Sequence, residues 1–447
     1  MRKLKQLSIV SLLSLASLGV SAAESGSELA TAINSDYDSR LGKLFIDFHQ
    51  NPELSLVEFK TAKKIAAELR ASGFKVTENV GGTGVVAILK NGHGPLVMMR
   101  GDIDGLPVEE KSGLAYKSVA KQVPATGGNP MPVMHACGHD VHITSLIGTA
   151  RQMSARKDQW SGTLMLIGQP AEEIVSGAKA MMDDNLWQRF GQPDYALAFH
   201  VSAGLLAGTV NIQEGSPYAG ADSVDIIIRG IGAHGASPHA GKDPILLGSQ
   251  IVVALQTLVS RELPPRQPGV ITVGSFHGGT KHNIIPDIAH LQLTVRNTNL
   301  ETRATLLEGI KRIAENMGRV AGLPEDMLPE VIYDTAYAPP TINDTTLARR
   351  LKAVWQAGLG EDQVTTQESQ GMGAEDFPFY TTDPKIPSVY FNIGGTSLED
   401  MDAAANGGPA IPSHHSPLFK IDPKPSVTRG VEATVLALLD LMPVAQK

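Results

Sequence analysis

The sequence predicts an α/β fold: a main domain built on a mixed sheet covered by helices, interrupted by an inserted α+β domain. Three observations predict it. Near-continuous apolar strands alternate with helical segments, the pattern of a sheet buried on both faces. Acidic residues and histidines cluster where those strands end. A middle stretch changes rhythm to β-α-β-β-α-β, a compact unit of its own.

The main domain begins near residue 27. "ELSLVEFKTAKKIAAELRASGF" has helical periodicity and stops at Gly73. "PLVMMRGDID" reads as a buried strand, Leu96 to Arg100, running into Asp102 and Asp104. "TLMLIGQPAEE" is a second, Thr163 to Ile167, running into Glu172 and Glu173, and "YALAFHV" a third, running into His200. In such sheets, sites form at the carboxyl ends of the strands. The insert spans 213–330, with strands at "DSVDIIIRG", "GVITVGSF", "IAHLQLTVR" and "LPEVIY" and helices at 243–263 and "LETRATLLEGIKRIAENMG". The main domain, 27–212, then resumes over 331–447 with a helix at "TTLARRLKAVWQAG", a strand at "PSVYFNIGG" and a helix near "VTRGVEATVLALLDLM".

A length of 447 residues suggests two domains. The formal charge of -8, with both signs scattered, argues against nucleic acid and against an anionic membrane surface. No continuous apolar run approaches the roughly 18 residues of a membrane span. The N-terminus reads as a secretory signal over 1–23: a basic start "MRKLKQ", an apolar "LSIVSLLSLASLGV", then small residues. The expectation is a periplasmic or secreted protein with no membrane attachment once the signal is removed. The single cysteine fits an oxidising compartment, where an unpaired thiol needs something to hold it.

That cysteine lies in "MHACGHDVH", Met134 to His142. Alone, Cys137 is a buried small hydrophobe, a reactive thiol or a metal ligand. Cys137, His139, Glu173, His200 and His415 all fall at strand or helix ends, and sulfur, imidazole and carboxylate together suit Zn²⁺, Mn²⁺, Co²⁺ or Ni²⁺. Five ligands exceed one catalytic zinc and suit two ions sharing a bridge. Adjacent Glu172 and Glu173 after a buried strand repel each other unless a cation intervenes. The economical division puts Glu173 on the metal and Glu172 on the water it activates, as general base.

With these residues in place the sequence resembles the dinuclear-metal amidohydrolases of the aminoacylase–carboxypeptidase superfamily. It is most similar to the branch of hippurate hydrolases, N-acyl-amino-acid amidohydrolases and plant auxin-conjugate hydrolases. "HQNPELSLVEFKTA", "RGDIDGLPVEE", "MHACGHDVH", "QPAEE", "AFHV", "GIGAHGASPHAGKDPI", "HNIIPDIAHLQLTVR", "GAEDF" and "HHSPLF" carry the resemblance, in order from residue 49 to 419. It implies a metallopeptidase-like catalytic domain whose insert is a lid and dimerisation domain. It implies two divalent ions per subunit, held by Cys137, His139, Glu173, His200 and His415, with Glu172 as base. His415 is preferred to His414 because it directly precedes Ser416-Pro417. It also implies that His234 polarises the scissile carbonyl from a neighbouring subunit, and that Asn283 and Arg296 hold the substrate. Two departures stand out. Asp102 occupies the place of a metal-binding histidine in other branches, and the 116–133 segment is longer than usual.

The expected function is metal-dependent cleavage of the amide bond of small-molecule N-acyl amino acids to a carboxylic acid and an amino acid, by a homodimer. The rivals are a dipeptidase or carboxypeptidase on the same scaffold and a non-catalytic exported metal- or solute-binding protein. A binding module has no use for the proton shuttle of Glu172.

Overall fold

The computed structural model describes residues 27–444 apart from 336 and 370; the signal assigned to 1–23 lies outside them. In chain order the main strands are β1 Lys75–Val80, β2 Gly84–Asn91, β3 Leu96–Asp102, β4 Gly162–Gln169, β5 Tyr195–Leu206, β6 Val210–Asn211, β7 Gly220–Arg229, β8 Gly269–Gly278, β9 Ile288–Asn297, β10 Glu330–Tyr333, β11 Val364–Thr365 and β12 Ser388–Thr396. The main helices are α1 Gly42–Gln50, α2 Phe59–Ala71, α3 His139–Ala155, α4 Pro244–Thr257, α5 Leu300–Val320, α6 Thr345–Leu359 and α7 Pro423–Leu441.

The chain forms two compact units, Met1–Gly215 with Asn343–Glu368 and Phe379–Lys447, and Ser216–Ile342 with Ser369–Pro378. The first unit holds an eight-stranded sheet in the order β1-β2-β4-β3-β5-β12-β6-β11. Strands β4, β3, β5 and β12 run parallel, while β1 and β2 close one side antiparallel. Strands β3 and β4 are buried nearly throughout, as strands covered on both faces must be. Parallel pairing brings the carboxyl ends of β3, β4 and β5 to one edge, with Asp102 opposite Gln169. His200 is opposite Asn392 of β12.

Helix α3 packs against α7 and is buried on almost every side. Helix α2 starts at Phe59 rather than at Glu53. The residues before it form a turn instead: Leu56 has φ 70, and the Glu58 carboxylate accepts its amide at 2.9 Å.

The second unit has a four-stranded antiparallel sheet in the order β8-β9-β7-β10, with α4 and α5 packed on it. Alternate residues of β7 and β9 point inward, so Val224, Ile226, Ile228, Leu291, Leu293 and Val295 share a core with Ile251 and Ile310. Asp243 caps α4 by accepting from the Ile245 and Leu246 amides, with Pro244 at the first turn. The unit runs past residue 330 because β10 continues to Tyr333 and Ala338 exchanges both backbone bonds with Ala221 at 2.9 Å. The 369–378 segment joins it through the Ala219 amide, which donates to Gly373 O at 2.8 Å. Helix α4 with its continuation, Pro244–Glu262, is long and apolar enough by composition to cross a membrane. Ser249, Gln250 and Gln256 interrupt its apolar run.

Candidate metal centre

Cys137, Gly138 and His139 form the turn that opens α3. Gly138 has φ 83, and a Cβ there would lie 2.3 Å from a Val201 methyl, so only glycine passes the chain between the two donors. Glu172 and Glu173 follow β4, His200 lies on β5, and His414 and His415 lie in the loop before α7, where His415 has φ 66.

The structure brings Cys137, His139, Glu173 and His200 together, all with side chains buried or nearly so. Cys137 Sγ is 3.4 Å from His200 Nε2 and 3.7 Å from His414 Nδ1. His139 Nε2 is 3.8 Å from Glu173 Oε1 and 4.0 Å from Glu172 Oε2. Two of the groups of potential ligands among the described residues, Cys137–His139–Glu173 and Cys137–His200–His414, share the sulfur. His415 is half exposed and reaches the first group through Glu173, with Nε2 3.3 Å from Glu173 Oε2.

Hydrogen bonds assign the ring protons. His139 Nδ1 donates to Asp104 O at 2.9 Å and His200 Nδ1 to Val201 O at 2.6 Å, so each turns its Nε2 toward the other donors. His414 is the reverse. Its Nε2 accepts the Ala203 amide at 3.2 Å, so the neutral ring presents Nδ1–H to the Cys137 sulfur. It therefore faces the Cys137 sulfur as a hydrogen-bond donor. The backbone partner of His414 is visible only in the fold.

His142 and Asp102 are spent on structure. His142 Nδ1 donates to Asp102 Oδ1 at 2.5 Å, its Nε2 accepts the Val201 amide at 2.8 Å, and Arg100 donates to Asp102 Oδ2 at 2.6 Å. Asp102 thus stands behind the donors, clamped by a buried guanidinium.

The pocket calls for positive charge. Burial, then the nearby Glu173, Glu172 and Asp102 carboxylates, pushes the Cys137 thiol well above its ordinary range. Burial pushes Glu173 up to about 7, opposed by His139 and reinforced by Asp104 and Asp102. Burial pulls the His139 pKa down, but Asp102, Asp104 and Glu173 carry it up to about 10. Burial and the neighbouring His142 and His414 hold His200 well below its usual range. His139 Nε2 and Glu173 Oε1 are buried without a hydrogen-bond partner. Such atoms cost about 1–3 kcal/mol each when left unsatisfied. Orphaned imidazole nitrogen and carboxylate oxygen beside a thiol fit divalent cations of the Zn²⁺ class.

The other expected residues lie in the inserted unit. His234 is exposed on the short strand Ala233–His234, which pairs with Ile284–Ile285, and the Gly235 amide donates to Asn283 O at 2.8 Å, so His234 and Asn283 are neighbours. The Ala236 amide donates to His234 Nδ1 at 3.0 Å, which places the ring proton on Nε2. Arg296 lies on β9, half-buried, its side chain making no hydrogen bond or ion pair among the described residues.

Mixed sulfur, nitrogen and oxygen donors around a buried pocket, with a second carboxylate beside them, define a metal-binding hydrolase on an α/β sheet. The chain belongs to peptidase family M20/M25/M40, whose model matches residues 98–407. It is 35% identical over 346 residues to hippurate hydrolase from Campylobacter jejuni, covering 77% of this chain and 86% of that one. It is 35% identical over 351 residues to thermostable carboxypeptidase 2 from Saccharolobus solfataricus, covering 77% and 83%. Its structure is similar to a dinuclear metal-binding peptidase of the M20 family from Bacillus subtilis, with TM-score 0.73, 28% identity, and coverage of 92% and 99%.

Proposed function

We propose that the protein hydrolyses N-acyl amino acids, R-CO–NH-CH(R′)-COO⁻, to a carboxylic acid and an amino acid. One observation carries the hydrolytic reading: the orphaned, buried His139 Nε2 and Glu173 Oε1, with a Glu172 oxygen 4.0 Å from the histidine. The similarity to hippurate hydrolase supports the substrate class, because hippurate is itself an N-acylated glycine. Cys137, His139, Glu173, His200 and His415 would hold two ions drawn from Zn²⁺, Mn²⁺, Co²⁺ and Ni²⁺. Such ions, when bound, polarise the amide carbonyl and acidify a water. Glu172 takes that water's proton and delivers it to the leaving amine. His234, its proton on Nε2, donates to the oxyanion as it develops. The uncommitted guanidinium of Arg296 suits the substrate carboxylate, with Asn283 beside His234 adding a polar contact.

The test is a panel of hippurate, N-acetyl amino acids and dipeptides given to metal-reconstituted protein. Turnover of the N-acyl compounds that a chelator abolishes is expected. Preference for dipeptides favours the second reading, a peptidase, which the similarity to a carboxypeptidase supports. No turnover of either class overturns both.

The reading extends to export through the 1–23 signal and to a homodimer formed through the insert. Leu246 and Val253 on α4 are 58% and 72% exposed, an apolar face suited to a second copy. Every proposed ligand belongs to one domain and His234 to the other, so a dimer allows delivery of His234 in trans. Mixing inactive His234→Ala protein with inactive Glu172→Gln protein, under verified subunit exchange, is expected to restore a fraction of wild-type activity. One of the two sites in each heterodimer then receives both intact groups. No restoration means that His234 acts within its own chain or not at all.

A further inference from the structure

The segment that carries Glu172 is tightly knotted. Ala171 and Val175 have φ 49 and 54, a left-handed conformation that costs residues with a Cβ. The Val175 amide donates to Glu172 O at 2.7 Å, and the Ser176 and Gly177 amides donate to Ala171 O at 3.2 and 3.1 Å. A Cβ at Gly177 would fall 1.6 Å from Pro170 O. Strained backbone persists only where its surroundings over-determine it.

What holds it from outside is a pair of buried carboxylates, one on each side of Glu172. Glu58 Oε1 accepts the Ala171 amide at 2.9 Å. Asp104 Oδ2 accepts the Glu173 amide at 3.1 Å. The turn before α2 fixes both acceptors. Glu58 Oε1 also accepts the Leu56 amide at 2.9 Å, and its other oxygen accepts the Thr83 hydroxyl at 2.5 Å. Ser55 donates its hydroxyl to Asp104 Oδ2 at 2.7 Å, and the Gly105 amide donates to Glu53 O at 2.7 Å. Glu58 is completely buried. A carboxylate buried for its charge alone is costly; one that satisfies three donors fixes their geometry.

We propose that Glu58 is a positioning residue: with Asp104 it clamps the amides on either side of Glu172 and aims that carboxylate at the reacting water. The proposal rests on the reading of Glu172 as the base. It explains why the "PELSLVE" turn, remote from the metal ligands in sequence, ends in a buried glutamate. It also sets a demand on geometry rather than charge. A glutamine at 58 keeps one oxygen for the Ala171 and Leu56 amides and turns its NH₂ toward the Thr83 hydroxyl oxygen. Alanine and aspartate both withdraw from Ala171, the second without removing the charge.

The experiment compares Glu58→Ala, Glu58→Asp and Glu58→Gln in the full, metal-reconstituted protein, measuring kcat, KM and bound metal by elemental analysis. Misplacement of a catalytic group by about 1 Å costs on the order of 10²-fold, so Glu58→Ala and Glu58→Asp are expected to lose kcat toward that extent. KM and metal stoichiometry should change little, and Glu58→Gln should recover most of the loss. If alanine at this buried site prevents folding, the aspartate and glutamine pair gives the same comparison. Wild-type kcat in Glu58→Asp overturns the clamp. So does a loss matched by loss of metal and not recovered by glutamine, because Glu58 then supports the pocket and not the base. A Glu172→Gln protein measured alongside separates the two ideas. If it stays active, the base assignment has failed; if it is inactive while the Glu58 variants are not, only the clamp has.

Discussion

Glu172→Gln is expected to keep its metal and lose about 10²-fold or more of its turnover, the usual contribution of a general base. The amide matches the carboxylate in size, so the knot of backbone around residue 172 is undisturbed and only proton transfer is removed. The two glutamates differ in what surrounds them. Glu173 offers one oxygen 3.8 Å from His139 Nε2 and the other 3.3 Å from His415 Nε2, bridging two imidazoles. Glu172 lies 4.0 Å from His139 Nε2. Glu173→Gln should therefore lose metal, by elemental analysis, where Glu172→Gln does not. The opposite result reverses the two roles.

The second large effect belongs to the cysteine. Cys137→Ser is expected to lower bound metal and activity together. Burial and the surrounding carboxylates hold the free thiol protonated, so Cys137 becomes a thiolate only when a cation offsets that cost. A serine hydroxyl is far more basic as an anion and stays neutral in the same place, so the donor shared by both ligand groups is lost. Unchanged metal occupancy in Cys137→Ser leaves the sulfur a bystander and undoes the assignment.

How much of this was legible in the sequence depended on what kind of signal each part leaves. The strands before Asp102, Glu172 and His200 were legible because burial on both faces forces unbroken apolar runs that stop where polar chemistry begins. The insert was legible because its strands, buried on one face, alternate, and helix α5 carries a one-sided apolar stripe. Helix α3 was not read, since burial on nearly every side erases the periodicity that marks a surface helix. The Glu53–Glu58 turn was absorbed into α2 because its residues suit a helix. What breaks it is Leu56 at φ 70 and a side chain that captures an amide, both tertiary effects. The pairing of Cys137 with His200 and Glu173 followed from residue type at strand ends. The preference for His415 over His414 rests on the Ser416-Pro417 that follows it, while the bond from the Ala203 amide to His414 leaves no mark in the sequence. The return of Ala338 to Ala221, beyond residue 330, is likewise a contact between distant residues with no local mark.

The discontinuity of the main unit has a consequence for how a nascent chain matures. The insert is nearly continuous, Ser216–Ile342, and owns a separate hydrophobic core, so it is able to condense as soon as it has been synthesised. The larger sheet must wait. Its strand β12 lies beside β5, yet the two are separated in the chain by the whole insert, and His414 and His415 emerge later still. Until then β5 presents an unpaired edge, a surface prone to association with other chains. Closing so long a loop slows folding. The proposed ion-binding pocket is thus completed after the sheet is sealed, and an unfinished chain lacks the last of the proposed donors, His415.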